Sequence, residues 1–106
     1  MHCLLGRAYE ALGRYAEAHE SYWKHIDLSH RLVTRELNDI VRRVCAEEGV
    51  GCVDGVRLLE AQAEHGLPGY DLFVDSMHPN EAGHALLAQG FLDAWLASEP
   101  GRALVD

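Results

Sequence analysis

The chain has 106 residues, 48% of them hydrophobic and 25% charged, and a formal net charge of −8 when its seven His are counted as neutral. This is the composition of one small globular domain with a limited core, and no apolar run approaches the roughly 18 to 20 residues of a membrane span. The acidic balance, with Arg42-Arg43 as the only basic pair, argues against nucleic acid as a partner.

Cys3, Cys45 and Cys52 are odd in number and lack the close spacing of a metal clip, which favours buried reduced thiols over a disulfide frame or a zinc site. The N-terminus has no basic stretch followed by an apolar core, so no secretory leader is read there and the expected compartment is the cytoplasm.

Between Met1 and His30, the small residues Gly6 and Ala18 would let two helices approach, with Leu5, Tyr9, Tyr15 and Tyr22 packed between them and Gly13-Arg14-Tyr15 as the turn. On Leu5-Gly6, Tyr9, Gly13, Ala18 and Tyr22 the segment resembles a tetratricopeptide repeat, a unit of about 34 residues made of two antiparallel helices. His2 stands where that pattern prefers Trp, and His30 where it prefers Pro. One repeat cannot bury its own face and arrays need about three, so the resemblance implies a protein partner or a missing N-terminal half against residues 1–30. No N-cap residue is visible before the first helix, and the expectation is a C-terminal piece of a longer protein.

From Arg31 to Glu48, Val33, Leu37, Ile40, Val41, Val44 and Cys45 follow the spacing of a helix with one buried stripe, ended by Gly49. Val50 to Asp54, bounded by Gly49 and Gly55, predicts a buried strand that delivers Asp54 to its end, where it reads as a cap rather than a site residue. Val56 to His65 predicts a short helix anchored by Leu58 and Leu59, followed by a turn at Gly66-Leu67-Pro68-Gly69. Glu81 to Ser98 predicts the last helix, with Gly83, Leu86, Leu87, Gly90, Phe91, Ala94 and Trp95 on one face.

The chemistry lies between these last two elements. Asp75 and His78 sit three apart, Pro79 stops any helix at His78, and Asn80 suits the cap of the next helix. An Asp so placed can accept the Nδ1 proton of the His, fixing its tautomer and leaving Nε2 to take a proton from a nucleophile.

With Asp75-Ser76-Met77-His78-Pro79, flanked by Asp71-Leu72-Phe73-Val74 and Asn80-Glu81-Ala82-Gly83-His84, the segment from Arg31 to Leu96 resembles the SGNH (GDSL-type) serine esterases and lipases, whose last block is Asp-x-x-His-Pro. The resemblance implies an α/β fold, the C-terminal part of a three-layer α/β/α domain over residues 31–106, behind an all-α tetratricopeptide-like hairpin at 1–30. It implies His78 as general base and Asp75 as its orienting carboxylate, acting on a small-molecule ester, an acyl or acetyl ester of lipid or carbohydrate. The family's Gly-Asp-Ser block and oxyanion-hole residues have no counterpart here, and Ser21, Ser29, Ser76 and Ser98 stand in no glycine-bracketed turn. The chain alone is therefore expected to be inactive.

No cofactor and no metal are expected: His65, His78 and His84 do not form a His-x-x-x-His or His-Glu-x-x-His pattern. The bland alternative for Asp75 and His78 is a loop ion pair that orders the last helix. The alternative function is a tetratricopeptide-type protein-interaction module with a vestigial hydrolase loop, and a third reading is a non-functional remnant.

Overall fold

The computed structural model describes residues 3–29, 32–75 and 78–101. His2, His30 and Ser76 lie outside these residues. The described residues are helical: α1 (Leu4–Ala11), α2 (Tyr15–Asp27), α3 (Arg35–Glu48), α4 (Gly55–Gln62), a 3₁₀ turn at Glu64–Gly66, and α5 (Glu81–Ala97).

Among them there is no strand and no sheet, only an isolated antiparallel bridge between Phe73 and Pro79. The expected α/β/α fold is thereby corrected to an all-α arrangement. The predicted strand Val50 to Asp54 is irregular, and Val50 is 60% exposed. A short apolar run between glycines becomes a strand only where a neighbour pairs its N–H and C=O groups, and none does so among the described residues.

The chain forms two compact units, within residues 1–46 and 47–106. In the first, α1 and α2 pack together across a turn in which Gly13 takes φ 73°, a left-handed conformation that glycine adopts without steric cost. Gly6 and Ala18 are buried between the helices. A Cβ on Gly6 would lie 2.6 Å from a ring carbon of Tyr22, so glycine is what lets that ring cover α1. The Tyr22 hydroxyl donates to Glu10 Oε1 at 2.7 Å. Burial, and then the Glu10 carboxylate, push its pKa up to about 12.

Leu5, expected between the helices, is 57% exposed, because the buried face of α1 runs through its neighbour Gly6. The first helix also has the N-cap that the sequence concealed: Cys3 Sγ accepts from the Gly6 N–H at 3.4 Å. Arg35 at the start of α3 donates from its backbone N–H and from Nε to Asp27, at 3.0 and 2.8 Å, and pairs with Glu20 at 2.8 Å. These bonds hold both carboxyls below their ordinary range. The stripe expected to be buried on α3 stays largely exposed, at 49% for Leu37 and 57% for Val41.

In the second unit, Leu59 from α4 and Ala63 just after it meet Leu72 from the following loop, with Phe73 and, from α5, Leu86 and Leu87 packed against them. Asp54 caps α4 by accepting from the Arg57 N–H at 3.1 Å, so it is the cap of a helix rather than of a strand. The helix expected to run to His65 ends at Gln62, and His65 takes φ 55°. Gly90 faces the side chain of Leu58.

Cys45 and Cys52 are both disulfide-bonded, in place of the reduced thiols expected, and only Cys3 is a free thiol. Their spacing of seven, too open for a metal clip, gave no signal of it in the sequence.

Candidate functional site

The loop from Gly69 to Asn80 carries the two residues singled out by their spacing. Its floor is apolar: Leu72 is 6% exposed and Phe73 is partly buried against the cluster of Leu59, Ala63 and Leu72, which fixes the loop to the core. Its entry is held by Asp71, whose Oδ1 accepts from the Gly69 N–H at 2.9 Å and Oδ2 from the Glu64 N–H at 3.1 Å. Partial burial alone would raise the pKa of Asp71, but these backbone donors outweigh it and hold the carboxyl below its usual range.

Two backbone bonds close the loop on itself. The Val74 N–H donates to the His78 carbonyl at 2.8 Å, and the Asn80 N–H donates to the Leu72 carbonyl at 2.8 Å. Pro79, with no N–H to give, sits between them opposite Phe73.

Asp75 and His78 meet at the tip. Both carboxylate oxygens of Asp75 lie 2.9 Å from His78 Nδ1, and Oδ1 also accepts from the His78 backbone N–H at 2.8 Å. The same carboxylate therefore fixes the backbone and the ring, and with Asp75 ionised the proton resides on Nδ1. No hydrogen bond engages Nε2 among the described residues, and the His78 side chain is 71% exposed. The pair can orient an imidazole and stabilise an imidazolium.

Of the serines, Ser98 hydrogen-bonds the Trp95 carbonyl at the end of α5. An open cleft of about 530 Å³ runs between α4 and α5, lined by Val53, Leu58, Leu86 and Gly90 among others, and neither Asp75 nor His78 borders it. Among the described residues no group of three or more His, Cys, Asp or Glu converges on a point that would suit a metal ion. No described helix is long and apolar enough to cross a membrane.

Two site features escaped sequence reasoning. Spacing marks Asp71 as part of the motif's surroundings and Asn80 as a cap, and shows neither one's bonds across the loop. The signal for both was available, since Asp and Asn beside Gly and Pro are the residues whose side chains bond nearby backbone. The chain matches no protein-family model, no curated protein and no solved structure.

Proposed function

We propose that the chain supplies the general base and its orienting carboxylate to an ester-hydrolysing serine enzyme, with the nucleophile and oxyanion donors coming from a segment outside these 106 residues. The observation that supports this most is the double engagement of His78 by Asp75, at 2.9 Å to Nδ1 and 2.8 Å to the backbone N–H, on a side chain that is largely exposed. In the reaction, Nε2 takes the hydroxyl proton of the nucleophile as it attacks the ester carbonyl, and returns it to the departing alcohol. Asp75 holds the tautomer and stabilises the cation formed between these steps.

The substrate class is an acyl or acetyl ester of carbohydrate or lipid. The disulfide-bonded state of Cys45 and Cys52 favours an oxidising compartment over the cytoplasm expected from the N-terminus. The test is the reading frame upstream of Met1: an in-frame Gly-Asp-Ser segment supports the reading, and a nearby stop codon overturns it.

A second reading has its own support. Leu4, Leu5 and Leu12 on and beside α1 are 75%, 57% and 71% exposed, an apolar surface suited to a further helix of a repeat array. Self-association that survives His78→Ala and is lost on Leu5→Ser with Leu12→Ser would favour this interaction module over the hydrolase.

A further inference from the structure

We infer that Asn80 is a positioning residue for His78, using the two ends of its side-chain amide for two different tasks. The inference rests on the reading of Asp75 and His78 as a working dyad. Asn80 Oδ1 accepts from the Gly83 N–H at 2.9 Å, the ordinary duty of an N-cap. Its Nδ2 donates to the Asp71 carbonyl at 3.0 Å and to the Tyr70 carbonyl at 3.3 Å, on the opposite limb of the loop.

Carbonyls on one side and an N–H on the other leave only one orientation for the amide. A cap needs the acceptor alone, and Ser or Asp would supply it equally well. The two donor bonds therefore serve the loop and not the helix. They tie the residue two places after His78 to residues 70 and 71, beside the Asn80 N–H bond to Leu72. With that limb fixed, the position of the His78 ring relative to the Asp75 carboxylate is set by the loop.

The experiment reads the tautomer of the His78 ring in the intact chain by its ¹⁵N shifts, above the pH at which the ring is protonated. Asp75→Asn defines the signal of an unheld ring. Asn80→Ser and Asn80→Asp both keep an acceptor for the Gly83 N–H, and both lose the donors to Tyr70 and Asp71. Helix content by circular dichroism is expected to stay at the wild-type level in both. The ratio of Nδ1–H to Nε2–H tautomer is expected to fall roughly threefold to tenfold, the shift that goes with losing one or two neutral hydrogen bonds. If Asp75→Asn changes the tautomer and neither Asn80 variant does, the clamp is overturned and the dyad stands. If Asp75→Asn changes nothing, the dyad reading fails and takes the clamp with it.

Discussion

Gly83 faces the carbonyl of Leu72 so closely that an added Cβ would overlap that oxygen and come within 2.9 Å of the Pro79 Cβ. The first turn of α5 is thus pressed onto the backbone of the loop that holds His78, and the atom in the way is a carbonyl that also accepts from the Asn80 N–H. It cannot give way without breaking the closure of the loop.

Gly83→Ala is accordingly expected to destabilise the second unit by about 2–3 kcal/mol, even though alanine is the better helix former. Chemical denaturation of the variant against wild type checks this. A variant as stable as wild type would mean that α5 does not seat on Leu72.

Asp71 links the loop to pH. Its folded pKa lies below the ordinary value, so its contribution is present above the unfolded carboxylate range near pH ~3.9 and is lost as pH falls through the lowered folded value. Amide exchange at Gly69 and Glu64, whose N–H groups donate to this carboxylate, is expected to lose protection only in that acid window. Asp71→Asn is expected to remove the acid step.

Tyr22 has the opposite sign. With its pKa pushed up to about 12, the neutral phenol stabilises the hairpin fully below the unfolded value of 10.0, and the contribution is lost as pH rises through the folded value. The α1–α2 hairpin is expected to loosen between those two values. Tyr22→Phe, which keeps the ring against Gly6 and removes the titrating group, is expected to shift the onset to higher pH in an alkaline titration followed by circular dichroism.

Thiol counting tests the cysteines. One thiol per chain, that of Cys3, is expected to react under denaturing conditions without reductant. All three are expected to react after reduction. Three reactive thiols before reduction would contradict the bonded state of Cys45 and Cys52.

Much of the second unit was legible as local chemistry. The apolar spacing of Leu86 and Leu87, the cap at Asn80 and the stop at Pro79 each act within a few residues, and α5 begins where they place it. Gly49 ends α3 for the same reason, at φ 64°. The failures were non-local. Val50 to Asp54 has the composition of a buried strand, but a strand is a property of two segments, and the described residues offer it no partner. The exposed stripe of α3 is a similar case, because periodicity marks an apolar face without saying what covers it.

At the candidate site, spacing alone sufficed to bring Asp75 to His78, since three residues and a proline leave the carboxylate little else to reach. The work of Asp71 and of the Asn80 amide was hidden because each is a choice among several backbone partners. Only the closed loop determines which of them is met.

The most direct test of the central claim is turnover of an unactivated acetyl ester by the protein expressed from the reading frame extended upstream of Met1, with His78→Ala beside it and the 106-residue chain as a third sample. A dyad acting as base predicts no His78-dependent turnover by the chain alone, and turnover by the extended protein that falls by roughly three to four orders of magnitude with His78→Ala. Turnover by the isolated chain that disappears with His78→Ala would contradict the missing nucleophile, and turnover by the extended protein that ignores His78→Ala would contradict the role of the dyad.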